Sequence, residues 1–259
     1  MKAAIWAKRL VWRTVAKVPA FRGLAAKYSA HYGQLPSVFT ATPSSLLRDI
    51  LLLPSSEHST QLNQDIFALL VNRFRPDYFV EIGANDGFTI SNTVYLEAQF
   101  GWSGLLVEAN PRYAESLARR RATVANTAIA EVDARRPFLD AGLFGGLADT
   151  IDPSHASRTA TAAVIEVECA TLDTVFDAHD VPDTIGFISI DVEGGELPIV
   201  RQLVANRRRV RCGCIEGNHR PEIGAEIRAL LTAAGYRVVW DGMTGSDVFF
   251  VDPAKLNDE

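Results

Sequence analysis

One ten-residue stretch constrains the fold of this chain more than any other: Tyr-Phe-Val-Glu-Ile-Gly-Ala-Asn-Asp-Gly over residues 78–87. Its apolar first half, residues 78–82, is typical of a buried parallel strand, and the glycines after it predict a turn. Residues 89–100 then predict a helix. A strand, a glycine turn and a helix form the first half of a nucleotide-binding crossover, in which the backbone approaches a ligand closely.

The acidic residue in this stretch indicates which kind of ligand the turn binds. Glu81 stands just before Gly83, where its charge would repel a pyrophosphate and attract a cation. S-adenosylmethionine carries an ammonium group and a sulfonium at its methionine end, whereas a dinucleotide is anionic. We therefore predict S-adenosylmethionine as the ligand, with Glu81 near its ammonium group. The backbone at Gly83, Ala84 and Gly87 would line its methionine and ribose end.

Two further predicted strands end in acidic residues. Residues 104–108 predict the second strand, and Glu108 at its end is placed to accept hydrogen bonds from ribose hydroxyls. Residues 185–190 predict a central strand that runs into Asp-Val-Glu-Gly-Gly-Glu at residues 191–196. Like charges cluster at a cost unless they bind a cation, share a proton or face water, so this cluster is a candidate reaction site.

A strand predicted over residues 210–216 ends in a further polar group, which consists of Glu216, Asn218 and His219. With Asp191, these side chains would converge on the acceptor side of a methyl donor. Two mechanisms are open. In one, Asp191 or His219 removes a hydroxyl proton as general base; in the other, Asp191, Glu216 and Asn218 hold a divalent metal such as Mg²⁺. Glu193 and Glu196 could equally stabilise a helix N-terminus.

The charge distribution separates an N-terminal arm from the rest of the chain. Residues 1–48 contain eight basic residues and no acidic one, which leaves 26 − 8 = 18 basic and 31 acidic residues elsewhere. The acidic body is expected to repel nucleic acid. Residues 3–18 predict a helix with a basic face, which suits an anionic membrane surface or docking on the core or a partner. We therefore predict a basic helical and irregular extension over residues 1–60.

Residues 61–259 are expected to form the ligand-binding domain. Within it, residues 137–163 lack strong periodicity and predict a long loop that covers the acceptor substrate. Residues 236–240 and 247–251 predict an antiparallel hairpin at the sheet edge. The three cysteines form no even framework, which fits a reduced, intracellular setting.

Alternating strands and helices with a terminal antiparallel hairpin match the Rossmann-like architecture of class I methyltransferases. More narrowly, five motifs resemble the FkbM-type methyltransferase family, in the same order throughout residues 61–251. They are Val-Glu-Ile-Gly-Ala-Asn-Asp-Gly at 80–87, Ser-Asn-Thr at 91–93, Gly-Trp-Ser-Gly leading to Val-Glu-Ala-Asn-Pro at 101–111, Cys169 to Asp173, and Asp-Val-Glu-Gly-Gly-Glu at 191–196.

The resemblance implies an α/β fold with a mostly parallel seven-stranded sheet. It also implies O-methylation of a sugar, a glycolipid or a glycosylated natural product by S-adenosylmethionine. Among its motifs, Asn85, Asn92 and Ala109 join the expected cofactor-binding residues, and Asp191 is expected to face the cofactor as well as the acceptor.

Two other classes of function stay open at this point. An NAD(P)-dependent oxidoreductase would use the same kind of sheet, but it predicts Gly-x-Gly-x-x-Gly with no acid beside the first glycine. A non-catalytic module recruited to a membrane through the basic arm is the other class. For the enzyme we expect a cytoplasmic location, with peripheral contact of residues 1–30 on the inner membrane face as a further hypothesis.

Overall fold

The computed structural model describes residues 60–217, 220–239 and 247–255. Its α-helices are α1 (Gln64–Val71), α2 (Val94–Phe100), α3 (Ala114–Leu117), α4 (Ala156–Thr159), α5 (Leu172–Ala178), α6 (Glu196–Ala205) and α7 (Pro221–Ala233). Its strands are β1 (Tyr78–Ile82), β2 (Ser103–Val107), β3 (Thr123–Ala125), β4 (Ala128–Ile129), β5 (Ala134–Asp140), β6 (Gly146–Leu147), β7 (Ala163–Ala170), β8 (Thr184–Ile190), β9 (Arg209–Ile215), β10 (Arg237–Val239) and β11 (Val248–Val251). Short 3₁₀ turns are formed by Pro111–Tyr113, Gly142–Phe144 and Pro153–His155.

Seven strands form the main sheet, in the order β10-β11-β9-β8-β1-β2-β3. The five strands β9, β8, β1, β2 and β3 are parallel to one another, whereas β11 is antiparallel to both β9 and β10. The predicted sheet with its antiparallel C-terminal strands is therefore confirmed. The strand order reverses between β1 and β8, and open α/β sheets bind ligands beside such a reversal.

Both faces of this sheet are covered, which explains why its strands have continuous apolar sequences. On one face, alternate residues of β1, β2 and β8 form a buried cluster with apolar residues of α5, α6 and α7. On the other face, Phe67 of α1 meets Phe249 of β11 edge to face, with ring centroids 5.1 Å apart. Cys212 and Cys214 are buried free thiols of β9, as their alternation predicts.

A second sheet, in the order β4-β7-β5-β6, corrects the prediction of a long irregular loop over residues 137–163. Strand β5 pairs antiparallel with β7 along its whole length and also pairs with β6. Its sequence does not show this because only Phe138 of the strand is buried, and the others are polar or partly exposed. The covering role that we expect of this segment stays a prediction.

One other boundary differs from the sequence-based expectation. The helix predicted from residue 89 begins at Val94. Residues 123–129 hold the two short strands β3 and β4, which belong to different sheets. Of the described helices, none combines the length and apolar character needed to cross a membrane. The predicted N-terminal extension lies outside the described residues, except for Thr60.

Candidate active site

The carboxyl ends of four parallel strands lie level at one edge of the main sheet. Their last residues pair with one another across the sheet: Ile82 with Val107 and Ile190, and Ile190 with Ile215. The next residue of each strand therefore lies in the same row, and these residues are Gly83, Glu108, Asp191 and Glu216. The row brings together four of the residues singled out from the sequence.

A cavity of about 320 Å³ opens at this edge, a volume within the range of small-molecule sites. The predicted site residues that line it are Glu81, Gly83, Ala84, Asn85, Asn92, Glu108, Ala109, Asp191 and Glu216. Gly87 is not among the residues that line it. An added Cβ at Gly87 would meet Leu117 and Arg120, so this glycine serves the packing of the turn.

The turn after β1 fits only glycine at its first position. Gly83 has a φ of 87°, and a Cβ on it would lie 1.6 Å from the carbonyl oxygen of Asp191. Its backbone N–H donates to the carbonyl of Val107 at 2.9 Å, and the N–H of Asp191 donates to the carbonyl of Ile82 at 3.0 Å. Close contact with two neighbouring strands thus fixes the turn that forms one wall of the cavity.

Glu81 organises the chain segment that follows this turn. Its carboxylate accepts hydrogen bonds from the Asn92 backbone N–H at 2.7 Å, from Ser91 Oγ at 2.9 Å and from Thr93 Oγ1 at 2.5 Å. Because the side chain is buried, desolvation raises its pKa, against the opposing effect of these bonds and of Arg120. The hydrogen bonds give Glu81 a structural task that the sequence does not reveal, and its predicted proximity to an ammonium group stays a prediction.

Glu108 connects the glycine turn to the end of β2. One carboxylate oxygen accepts from the backbone N–H of Asn85 at 2.8 Å, and the other accepts from that of Asn110 at 2.7 Å. Desolvation raises the pKa of this buried side chain. The Ala109 backbone N–H also donates to this carboxylate, and its two oxygens have four lone pairs, so acceptor capacity is left for a ligand hydroxyl.

Three carboxylates form a second wall of the cavity, next to the glycine turn on the side of β8 and β9. Oxygen atoms of Asp191, Glu193 and Glu216 lie within 4.8 Å of one another. Burial raises the pKa of Asp191, and burial with the charge of Asp191 raises the pKa of Glu216 to about 10. Burial and the charge of Asp191 also raise the pKa of Glu193, to about 8. The side chains of Asp191 and Glu216 are hydrogen-bonded to each other and both have raised pKa values, so the pair shares a proton.

Glu196 has a structural role at the start of α6, where its carboxylate binds the backbone of the preceding loop. It is the first residue of α6, and its carboxylate accepts from the backbone N–H groups of Val192 at 2.9 Å and Gly194 at 3.1 Å. Burial raises its pKa to about 7. Glu196 therefore shapes the loop that carries Asp191 and Glu193.

The segment between β6 and β7 supplies residues that sequence reasoning missed. His155 is buried, lines the cavity and places its Nδ1 atom 3.0 Å from Oε2 of Glu193. The Phe144 ring packs edge to face on His155, with centroids 5.0 Å apart. The backbone N–H of Asp152 donates a 2.9 Å hydrogen bond to the carbonyl of Glu193. This bond holds the segment against residues 191–195, which we call the carboxylate loop. No local sequence motif indicates that these residues belong to the site, because the contacts that place them there involve residues distant in sequence.

The donor set at this wall suits an oxygen-loving divalent cation such as Mg²⁺. Asp191, Glu193 and Glu216 would hold it, and Oε2 of Glu216 is buried with no hydrogen-bond partner among the described residues. Glu193 takes a place in this group that the sequence-based prediction gave to Asn218. Asn218 and the predicted base His219 both lie outside the described residues.

Comparisons with known proteins give one match to a protein family. Residues 81–238 match the sequence profile of the methyltransferase FkbM domain. Among curated protein sequences, no significant match is found.

Solved structures similar to this chain include a methyltransferase FkbM from Methylobacillus flagellatus KT, at 14% identity and a TM-score of 0.43. That alignment covers 68% of this chain and 43% of the other, so the chain spans less than half the length of that protein. A precorrin-6y C5,15-methyltransferase from Geobacter metallireducens GS-15 aligns at 15% identity and a TM-score of 0.39, over 76% of this chain and 93% of the other. A SAM-dependent methyltransferase from Aquifex aeolicus aligns at 15% identity and 0.37, over 74% and 90%.

Proposed function

This chain belongs to the FkbM methyltransferase family, and we propose that it transfers a methyl group from S-adenosylmethionine to a hydroxyl group. The acceptor that we propose is a sugar, a glycolipid or a glycosylated natural product. One observation carries the proposal: a single cavity has the glycine turn and Glu108 on one wall and three carboxylates on the other. A methyl donor on the first wall and a hydroxyl on the second could then bring the acceptor oxygen, the methyl carbon and the sulfur into line, as an in-line displacement requires.

The first wall has the chemistry that S-adenosylmethionine needs. When bound, this cofactor supplies an electrophilic methyl group on a sulfonium. The remaining lone pairs of Glu108 can accept hydrogen bonds from ribose hydroxyls. The negative charge of buried Glu81 attracts an ammonium group. The backbone at Gly83 and Ala84 lies open to a ligand because Gly83 has no side chain to fill the turn.

The second wall offers two ways to weaken the hold of a hydroxyl on its proton. In the general-base route, Asp191 takes the proton, and the hydrogen bond from Glu216 orients its carboxylate. His155 joins this route as a second base, because Oε2 of Glu193 lies 3.0 Å from its Nδ1 atom and can orient the ring. His219 remains the base expected from the sequence alone.

In the metal route, Asp191, Glu193 and Glu216 would hold Mg²⁺, which would lower the pKa of a coordinated hydroxyl. The chain's own part in this route is to supply the carboxylate oxygens and to keep them close together. The two routes differ in one measurable property: only the metal route makes turnover depend on a divalent cation.

The test is calorimetric titration of S-adenosylmethionine, with NADH as the alternative ligand, into the wild type and Asp191→Asn. We expect S-adenosylmethionine to bind and NADH to give no heat above that of dilution. Each titration is repeated with Mg²⁺ and with EDTA. Preferential binding of NADH would reject the proposal and favour an oxidoreductase.

Turnover is then measured as release of S-adenosylhomocysteine with a panel of free sugars, glycosides and glycolipids. We expect Asp191→Asn to bind the cofactor within about tenfold of the wild type but to lose about 10²–10⁴-fold in turnover, the usual contribution of a general base. Loss of turnover in EDTA, restored by Mg²⁺, would select the metal route. Turnover on amines but not on hydroxyls would overturn the O-methyl specificity.

A further inference from the structure

The wall of the cavity carries one strongly basic side chain among many acidic ones. Of the described residues that line the cavity, Arg158 is the one arginine or lysine. It belongs to α4, within the segment between β6 and β7, and its side chain is exposed at the rim. The position of this one arginine beside an acidic cavity is the feature from which its function is inferred.

Stacking fixes the position of this arginine relative to the carboxylates. The guanidinium carbon of Arg158 lies 4.1 Å from the centroid of the Phe144 ring. That ring contacts His155, whose Nδ1 atom lies 3.0 Å from Glu193. A continuous series of contacts therefore joins Arg158 to the second wall, the one on which we place the acceptor.

The guanidinium has its hydrogen-bonding edge available for a ligand. Stacking occupies the flat face of the group, and the N–H donors at its edge match the two oxygens of a carboxylate or phosphate. Among the described residues Arg158 makes no ion pair, whereas Arg112 and Arg136 near the same sheet pair with Asp140 and Asp149.

We propose that Arg158 binds an anionic substituent, a carboxylate or a phosphate, on the methyl acceptor. This inference rests on the proposed function and narrows its acceptors to sugar acids and sugar phosphates, free or as part of a larger molecule. The acidic cavity does not contradict a single negative charge, because Arg158 is exposed at the rim, where solvent and salt screen the cavity's carboxylates.

The experiment is calorimetry with four probes: methyl β-glucuronide, glucose 1-phosphate, inorganic phosphate and the neutral methyl β-glucoside. Each is titrated into the full chain with and without S-adenosylhomocysteine. We expect at least one anionic sugar to bind more tightly than the neutral glucoside, and Arg158→Gln to weaken that binding by about 10–100-fold, as expected for lost hydrogen bonds to a charged group. The glucuronide and the sugar phosphate distinguish the two sources of the charge, and inorganic phosphate shows whether the sugar contributes.

Arg119→Gln is the matched control, because Arg119 is also exposed and stacks on an aromatic ring, Phe88 at 4.9 Å, but does not line the cavity. It should leave the binding of every probe unchanged. Arg158→Lys should keep part of the anion affinity. If neither anionic sugar binds better than the glucoside, or if Arg158→Gln binds them as the wild type does, the inference is wrong.

The two proposals fail separately. Anion binding that depends on Arg158, in a chain that does not bind S-adenosylhomocysteine, would reject methyl transfer and keep the anion site. Binding of S-adenosylhomocysteine with no preference for anionic sugars would reject the anion site and keep the methyl-transfer proposal. A fall in the melting temperature of Arg158→Gln, without a change in anion affinity, would show that the arginine only supports the fold.

Discussion

At the scale of single residues, the site depends on which residue follows each strand. Gly83, Glu108, Asp191 and Glu216 directly follow β1, β2, β8 and β9, and the level strand ends bring them together. Their chemistry then divides the cavity into a wall for a cofactor and a wall for an acceptor. Two substitutions test this division, one on each wall.

Replacing Gly83 by alanine should destabilise the protein and weaken cofactor binding. The positive φ alone costs a residue with a Cβ about 1–2 kcal/mol, and here the Cβ would also displace the backbone of Asp191. Gly101→Ala is the control, because Gly101 has a φ of 70° and its Cβ would meet nothing within 4 Å. Urea unfolding and calorimetry should show a larger loss for Gly83→Ala, with cofactor affinity lost in that variant alone. Equal unfolding free energies in the two variants would contradict the steric argument.

Replacing Glu216 by glutamine should change how stability depends on pH. The pKa of Glu216 is about 10 in the folded protein, against an ordinary value of 4.5. Between these values the folded state binds more protons than the unfolded state, so the contribution of Glu216 to stability decreases as pH rises. Glutamine cannot titrate and can still donate a hydrogen bond to Asp191.

The measurement is the melting temperature of wild type and Glu216→Gln in EDTA at pH 6, 7.5 and 9. The variant should lose less stability between pH 6 and pH 9 than the wild type. Glu166→Gln, a change of an exposed carboxylate on β7, is the control and should follow the wild type. A Glu216→Gln profile parallel to that of the wild type would refute the shifted pKa.

At the scale of elements, the loop between β1 and α2 is as important as the glycine turn. Residues 91–93 bind the Glu81 carboxylate instead of starting the helix, so α2 begins at Val94. Arg120 supports the same loop by donating to Thr93 Oγ1 at 3.0 Å and to Glu97 Oε2 at 2.8 Å. The loop thereby holds Asn92 in the cavity wall.

Truncating Glu81 to alanine should remove both stability and cofactor binding. Loss of a buried, fully hydrogen-bonded carboxylate beside a cation costs about 3–5 kcal/mol, because its partners remain buried. Glu97→Ala is the matched control: Glu97 is a buried carboxylate that pairs with Arg120 but does not line the cavity.

Both variants should unfold at lower urea concentrations, whereas only Glu81→Ala should bind S-adenosylmethionine more weakly. The comparison is made at a temperature where both variants are folded, as judged by circular dichroism. Equal cofactor affinity in the two variants would show that Glu81 serves the fold alone.

At the scale of the whole molecule, the cavity depends on contact between the main sheet and the second sheet. A Cβ on Gly194 of the carboxylate loop would lie 2.2 Å from the carbonyl of Thr150, and Asp152 is hydrogen-bonded to Glu193. These contacts bring His155 and Arg158 to the acceptor wall. The basic N-terminal arm lies outside the described residues, and its role in membrane contact stays a proposal.

Deleting residues 1–30 should reduce co-sedimentation with anionic liposomes. Each basic residue near an anionic surface contributes about 1 kcal/mol, so changing Arg9, Arg13 and Lys17 to glutamine should weaken binding by roughly 100-fold. Neutral phosphatidylcholine vesicles are the control surface, and turnover on a water-soluble acceptor should be unchanged. Undiminished sedimentation of the deletion variant would reject the membrane role of the arm.

The sequence was sufficient for the features that local patterns encode. Apolar runs ending in glycine or acid predicted the parallel strands and placed Gly83, Glu108, Asp191 and Glu216 at one edge, because buried parallel strands share an orientation. Thr171 is a further local signal, because a threonine before a helix commonly caps it, and Thr171 accepts a hydrogen bond from the Thr174 backbone N–H at 3.1 Å. Such signals involve neighbours in the chain, which the sequence shows directly.

Only the tertiary structure decided the rest of the site. The pairing of β5 with β7 depends on β5, whose side chains are largely polar or partly exposed, so no hydrophobic period predicted that strand. His155 meets the third carboxylate, Glu193, and Arg158 lines the same cavity, because the segment between β6 and β7 contacts the loop after β8. The sequence by itself thus determined the family, the main sheet and the residues at its strand ends. Long-range contacts determined which side chains face the acceptor, because those contacts depend on chain segments whose approach leaves no local pattern.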